Sequence, residues 1–407
     1  MLKHFLAVML LLVMVAGAYS QSIPSGTGRY AALGSSPFIL DAHIDMLNNP
    51  AWNNYYRNYA FADLTPFVGS ESGGEFNGHA GVTFAVGKQW NLGMIINKRQ
   101  DLFGLFSSVG SSITPNNSPI VPFMGLVGYS ASKNFHISLA PYIAMGKSDR
   151  TDTTGGLNVS NTSRSIGANL GMIYMIKKGW IEGAIRFRMN KFENDSTVGG
   201  VNTLADNDGG MEFGIGLRGW IYPSKGSKIA VVPLLGFSIY SFTPKVISGS
   251  TTVTGSEYSF MNINGGVGLN WPIIDDIQIA GGVTLAYNTA KSTFSDTTGS
   301  YENKLTDFIA PGFNMALETS IADWLTGRMG FSKSVDMSKF ETNTQEINVL
   351  YENSISSTFS MGAGFHFGRF SVDATVNERW FKNGINFVSG QSSELFGEIS
   401  ASYNFKK

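Results

Sequence analysis

From about residue 75 onwards, apolar and polar positions alternate along the chain with a period of two. In the segment 277–288 every second residue is apolar or Gly, and the residues between them are Gln, Ala, Gly, Thr and Asn. The segments 76–86 and 395–405 follow the same pattern. Successive side chains of a β-strand project to opposite faces, so each segment predicts a strand with one apolar and one polar or small face. The polar face carries few Lys and Glu residues, which favours a strand between lipid and a lumen over one in a soluble sandwich.

The predicted strands form hairpins that repeat about every 45 residues. This is also the length of a β-propeller blade, but a blade contains four short strands where each unit here contains two long ones. Tight turns are predicted near Lys88, Ser132, Lys178, Lys225, Ile273, Asp323 and Gly368. With the last strand and a weaker first strand near 54–65, the seven hairpins give about 16 strands, and 14 is the alternative. The prediction is an all-β fold, a transmembrane antiparallel up-and-down β-barrel over residues 54–407.

Long polar connections are predicted between the hairpins, at 98–120, 146–163, 192–209, 243–256, 291–305, 336–353 and 381–393. They are rich in Ser, Thr, Asn, Asp and Gly, which favour turns over strand ladders. In outer-membrane barrels the short turns face the periplasm and the long loops face outward. An even strand count then predicts that both termini are periplasmic.

Isolated charged residues within the strands fall mainly on the polar face. An Arg facing lipid near the midplane costs about 2–4 kcal/mol, so we interpret this face as the lumen. The predicted lumen-lining residues are Glu182, Arg186, Arg188, Glu212, Arg218, Glu318, Arg328, Asp373, Arg379 and Glu398.

The tryptophans cluster near strand ends. Four lie within a few residues of tight turns and one lies beside a long connection: Trp90, Trp180, Trp271, Trp324 and Trp380. Amphipathic rings concentrate at the two membrane interfaces, so we predict that these residues belong to aromatic girdles.

The N-terminal residues 1–20 read as a secretory signal peptide, because a basic start precedes a short apolar run from Phe5 to Ala18 and small residues follow. The run is too short to cross a bilayer as a helix, which needs about 20 residues. Cleavage after Ala18 or after Ser20 fits equally well. With the predicted barrel, an export signal predicts an integral protein of the cell outer membrane.

Composition narrows the function classes. Only 14% of residues are charged, against about 25% in typical soluble domains, and 13% are aromatic. There is no Cys, which excludes thiol chemistry, and the net charge of −1 gives no reason to expect nucleic acid as a partner. None of the five His residues lies in a predicted long connection, so an outward-facing enzyme is not expected. Asp206-Asn207-Asp208-Gly209 resembles half of a calcium loop but lacks the later Glu, so we expect no metal and no cofactor.

Residues 21–53 do not alternate and form a separate segment before the barrel. Leu40, Ile44 and Leu47 have helical spacing, and Pro50 ends any helix there. We predict that this segment folds into the lumen as a plug, whose key residues are Asp41, Asp45, Asn49, Pro50, Ala51 and Trp52.

A short Leu33-Gly34 segment, a brief acidic helical stretch and Asn49-Pro50-Ala51 lead directly into the strands. This arrangement resembles the long-chain fatty-acid transporter superfamily of outer-membrane barrels, including its Bacteroidetes-type branch with the type IX secretion shuttle protein. Those families have 14 strands and an N-terminal hatch. The transporter branch implies lateral passage of a hydrophobic ligand through the barrel wall. The secretion branch implies that a cargo domain is held at the outer face.

Two functions are therefore expected. The first is passage of small molecules, hydrophobic ones among them, through a barrel with a plugged lumen. The alternative is a non-conducting scaffold or shuttle that holds a secreted or surface protein. The expected partners are outer-membrane lipid, a small hydrophobic or polar solute and, in the alternative, a secreted protein.

Overall fold

The computed structural model describes residues 28–63, 78–96, 98–99, 120–152, 157–198, 201–248, 251–254, 256–274, 276–296, 299–343, 347–376 and 396–405. The predicted signal peptide at 1–20, the first residues of the predicted plug and the predicted sites Arg379 and Trp380 lie outside these residues.

Sixteen strands make up the sheet. They are β1 Tyr59–Asp63, β2 Ala80–Val86, β3 Trp90–Ile96, β4 Ile120–Ser130, β5 Phe135–Asp152, β6 Leu157–Ile176, β7 Gly179–Val198, β8 Val201–Ile221, β9 Ala230–Ser248, β10 Glu257–Ile274, β11 Ile277–Asp296, β12 Gly299–Ala322, β13 Leu325–Asn343, β14 Ile347–Phe367, β15 Phe370–Val376 and β16 Phe396–Asn404. Lys98–Arg99 follows β3 and pairs with β4, and Thr251–Thr254 precedes β10 and pairs with β9.

Every strand pairs antiparallel with its neighbours in sequence, and the ring closes between the first and last strands. In the closing pair, Tyr59 lies opposite Asn404 and Asp63 lies opposite Ser400. The structure thus confirms the predicted all-β closed barrel and the count of 16 rather than 14. Closure matters physically because it leaves no strand edge with unpaired backbone groups.

The tight turns lie where the sequence predicted them, at one end of the barrel that we call the turn end. Gly87 and Gly368 occupy two of these turns with φ of +69° and +67°. This left-handed conformation is open to Gly but strained for most other residues, which explains the glycine at these hairpins.

The strands extend much further from the turn end than predicted. The segment 146–163 was expected to be a loop, but β5 and β6 stay paired as far as Asp152 opposite Leu157. The pair β7–β8 continues to Val198 opposite Val201, and β11–β12 to Asp296 opposite Gly299. The prediction of long connections at these places was wrong. Ladder hydrogen bonds do not require an apolar face where a strand meets water on its outer side, so alternation ends before the strand does.

The two faces of the barrel differ in chemistry. In β7 the side chains of Ile181, Ile185 and Phe187 are exposed on the outside, whereas Glu182 and Arg188 are buried on the inside. Exposed Leu, Ile, Met and Phe side chains continue this outer surface around the other strands. Within the described residues, no helix is long and apolar enough to span a membrane.

The segment before β1 folds into the lumen. It contains helix α1 (Gly28–Ala32), helix α2 (Ala42–Asn48) and a 3-10 helix (Pro50–Asn54). Helix α1 packs against β13 to β16, and the 3-10 helix packs against β3 to β6. Asp41 caps α2 by accepting from the amides of His43 and Ile44, and Asn49 caps the 3-10 helix by accepting from that of Ala51. We call residues 28–54 the plug. It reaches strands on opposite sides of the ring.

Candidate functional site: the plug and the adjoining wall

One arginine of the wall joins α2 to the barrel. The Nη2 atom of Arg218 lies 2.6 Å from Oδ1 of Asp45, and its Nε lies 2.5 Å from Oε1 of Glu182. The other carboxylate oxygen of Glu182 accepts from the Asn49 amide at 3.1 Å and from the Trp52 indole N–H. The predicted plug residues Asp45, Asn49 and Trp52 thus meet the predicted lumen residues Glu182 and Arg218 in one cluster. Buried charges are tolerated when partners replace their hydration, as here.

Burial raises the pKa of the Asp45 carboxyl to about 7, with the Arg218 guanidinium acting in the opposite direction and Glu182 in the same direction. Asp45 therefore favours its proton more in the docked plug than in free solution, where an Asp titrates near pH 4.

A second cluster joins α1 to the opposite wall. Arg29 donates to both carboxylate oxygens of Glu318, at 2.9 and 3.1 Å, and its Nη1 lies 3.3 Å from Asp41. On the wall, Arg328 contacts the same Glu318 and also Asp373, each at 2.6 Å. Burial lowers the pKa of Arg29, but the carboxylates of Glu318 and Asp41 outweigh it and the net shift is upward. Arg29 was not predicted as a site residue, since it precedes the helical pattern that marked the plug.

Glycines of the wall allow the plug to approach closely. A Cβ atom at Gly330 would overlap the backbone of Leu33 and Gly34, and one at Gly171 would overlap the side chain of Asn49. A Cβ atom at Gly268 would likewise overlap the ring of Phe38. At these sites the strand backbone itself forms the seat of the plug.

A third charged cluster lies on the lumen wall. Glu212 pairs with Arg188 and, at 3.3 Å, with Arg186. Aromatic side chains cluster further from the turn end, namely Phe192, Tyr240, Phe242, Tyr258 and Phe260. The predicted lumen residue Glu398 lies on β16, where its amide donates to Thr375 at 2.6 Å.

The tryptophans divide into two groups. Trp90, Trp271 and Trp324 are exposed on the outer surface close to tight turns. Trp180 is different: its ring stacks on Trp220 at 5.4 Å and meets Trp52 of the plug edge-on at 6.0 Å. The prediction of a membrane-interface role for Trp180 was wrong. Its sequence position near a turn fits an interface, but its strand parity is that of Glu182, which faces inward.

The wall is interrupted at Ala310-Pro311 in β12. Towards β11, Thr284 faces Gly312 and Ala286 faces Ile309, so Leu285 stands opposite two residues. Towards β13, Ile309 and Gly312 face Asp336 and Ser334, which again leaves one residue opposite two. This is a β-bulge that interrupts both ladders at the same height. Proline has no N–H to donate and is unusual inside a sheet, so Pro311 was the sequence signal that could have located it.

A cavity of about 210 Å³ lies beside this bulge. Tyr30, Ser35 and Pro37 of the plug form one side of it. The barrel side is lined by Leu234, Thr284, Ile309, Gly312, Phe313, Asn314, Ser332, Lys333, Ser334 and Ser356. Phe313 and Lys333 are exposed on the outer surface, so the cavity connects plug residues with wall residues that reach the outside. We call it the wall cavity.

A second, more polar cavity of about 410 Å³ lies between the plug and the wall towards the turn end. Arg29, Asp41 and His43 line its plug side, and Thr326, His366 and Ser371 line it near the turns. We call it the turn-end cavity. Among the described residues, no three His, Asp or Glu side chains are grouped so as to hold a metal ion.

No family model matches the chain, and no curated protein matches it. Solved structures of outer-membrane proteins are similar at low identity. The toluene transporter TodX of Pseudomonas putida is 10% identical over 96% of this chain and 100% of that chain, with a TM-score of 0.40. A Pseudomonas aeruginosa FadL homologue is 10% identical over 94% and 99%, with a TM-score of 0.41. The alcaligin receptor FauA of Bordetella pertussis is 8% identical over 78% and 67%, with a TM-score of 0.38.

Proposed function

We propose that the protein is an integral outer-membrane barrel that passes small apolar or amphipathic molecules between the lumen and the membrane through the wall cavity at Pro311. The apolar outer face contacts lipid, and both termini lie in the periplasm. The docked plug obstructs the straight path along the barrel axis, and passage through the wall does not require it to move. No catalytic residue, cofactor or nucleic acid is part of this function.

The observation that carries the proposal is the coincidence of the bulge with the wall cavity. A closed barrel normally seals its wall with continuous ladder hydrogen bonds, and here both ladders next to β12 skip a residue at the same height. The cavity at that height extends from Tyr30 of the plug to Phe313, whose ring is exposed on the outside. Apolar molecules partition into lipid, so a side route suits them and an aqueous pore does not.

The plug favours this route because its two ion clusters and its glycine seats fix it on opposite walls. Leu33, Phe38 and Met46 of the plug are almost fully buried, so it is packed in the manner of a protein core. Passage along the axis would require these contacts to be broken, whereas passage through the wall cavity leaves them in place.

Neighbouring serines of β14 provide a matched test. Ser356 lines the wall cavity, and Ser357 is exposed but does not line it. We expect Ser356→Trp to fill the cavity and reduce uptake of an apolar fluorescent probe, N-phenylnaphthylamine, by Gram-negative host cells to the level of cells without the protein. Ser357→Trp should leave uptake unchanged.

Equal uptake by both variants would exclude the wall route. If neither variant matters and the intact protein conducts ions like an open porin, general diffusion is the better function. If the protein conducts nothing and a secreted protein co-purifies with it, the scaffold function is the better one.

A further inference from the structure

Two histidines meet where the plug touches the wall. His43 is the second residue of α2, and His79 lies immediately before β2. Their Nε2 atoms are 2.5 Å apart, and the residues are only 2% and 3% exposed. Neither the ion clusters nor the wall cavity uses this contact.

Both rings are held in place by their surroundings. The His43 amide donates to the capping carboxylate of Asp41 at 3.2 Å, which fixes the start of α2. The carbonyl of His79 accepts from the amide of Asp63 at 2.7 Å, and a carboxylate oxygen of Asp63 lies 3.7 Å from Nδ1 of His79. Phe61 packs on the His43 ring with centroids 4.0 Å apart. These contacts hold the Nε2 atoms of His43 and His79 facing each other.

Two facing imidazole nitrogens can hold one hydrogen between them, because one must donate and the other must accept. The contact survives one extra proton at an outer nitrogen, since Asp63 offsets the charge. A second extra proton places N–H groups on both facing nitrogens and two positive charges in contact. That state cannot keep the rings together inside a buried site.

Protons can reach the pair from the turn-end cavity, which is lined by His43 and extends to His366 and Ser371 near the tight turns. A polar cavity of this size has room for water molecules, which can carry protons to the pair.

We propose that His43 and His79 form a proton-operated latch, which releases α2 from the wall when both rings become positively charged. Free imidazoles titrate near pH 6.5, and burial and the first positive charge both oppose a second proton, so we expect release only at pH values below this. This inference concerns how the plug is held and goes beyond the proposed route through the wall.

Other titratable or charged groups surround the pair on every element packed against it. They are Asp41 and Asp45 on or next to α2, Arg29 on α1, Asp63 and Tyr59 on β1, Glu398 on β16, and Glu318, Arg328 and Asp373 in the turn-end cavity. Asp45 acts in the opposite direction to the latch: its raised pKa means that the docked plug takes up a proton below about pH 7, which favours docking. The test must therefore isolate the histidines.

The test measures single-channel conductance of the full-length protein in planar bilayers between pH 7.5 and pH 5. We expect openings of wild type to become frequent as the pH falls. His79→Gln keeps a neutral hydrogen-bonding side chain that cannot take up a proton, so the pH response should be lost. His366→Gln is the control, because His366 lines the same cavity while its ring nitrogens hydrogen-bond to Thr326 and Ser371, both on the wall.

Asp63→Asn provides a second variant with the opposite sign. It leaves both imidazoles in place and removes the carboxylate that offsets the first proton, so openings should begin at a higher pH than in wild type. The latch is refuted if wild type shows no pH response, or if His79→Gln responds as wild type does. Loss of probe uptake in Ser356→Trp has no bearing on these outcomes, so the two proposals can fail separately.

Discussion

At the scale of single residues, the plug is held by side chains that each satisfy several partners. Glu182 accepts from Arg218 on the wall and from Asn49 and Trp52 of the plug. The sequence predicted these residues for the lumen or the plug, but it did not predict that they meet. Strand parity gives the direction in which a side chain points, whereas its height in the barrel depends on the register between strands.

We expect Glu182→Ala to weaken plug docking by about 3–5 kcal/mol, because Asn49 and Trp52 of the plug each lose a hydrogen bond to a buried carboxylate. The measurement is labelling of a cysteine placed at Met46, which is 1% exposed, with a water-soluble maleimide. Labelling should be slow in the otherwise unchanged protein and fast with Glu182→Ala. Glu302→Ala removes a half-exposed pair with Lys291 and serves as the control, which should stay slow. Slow labelling in both variants would show that Glu182 does not hold the plug.

At the scale of elements, the sequence predicted the tight turns and the alternating parts of the strands well. The sequence did not predict the strand segments in which apolar and polar positions no longer alternate. Lys147 and Asp149 of β5 form an exposed ion pair in a segment predicted as a loop, because a polar strand outside lipid has no apolar face to mark it. The bulge in β12 was missed for a related reason. One extra residue shifts the alternation by one position between the two halves of β12, and a window that spans both halves averages over the shift.

Deleting Pro311 should repair β12, since Leu285 and Val335 would each then face a single residue. We expect probe uptake to fall to the level of Ser356→Trp, and the barrel to unfold in detergent at a higher temperature because two ladders become continuous. Pro311→Ala is the matched control: it keeps the extra residue and should keep most of the uptake. If the deletion leaves uptake intact, the bulge is not part of the route.

At the scale of the whole molecule, a barrel of this size is wide enough for an aqueous channel unless its interior is filled. The plug fills it and is fixed at separate places on the wall, through Arg29 to Glu318 of β12 and through Asp45 to Arg218 of β8. The sequence indicated such a plug from Leu40, Ile44 and Leu47, but the ion pairs that anchor it join residues more than 170 positions apart. Contacts of this kind are not visible in local patterns.

Removal of residues 21–48 should therefore convert a poorly conducting protein into one with a conductance of porin size in planar bilayers. The described strand ladder begins at Tyr59, so the truncated protein should still shift on a denaturing gel only after boiling. An intact protein that already conducts like a porin would contradict the plug, and a truncated protein that no longer shows the gel shift would mean that the barrel needs the plug to fold.

The bulge at Pro311 also has a consequence at the level of the gene. Phe308 before it and Phe313 after it are both exposed on the outside, although they are five positions apart and would face opposite sides in a regular strand. The alternation of inward and outward residues is thus shifted by one position between the two halves of β12, and one codon accounts for the shift. Gain or loss of a single codon can create or remove such a bulge, and no other strand has to change.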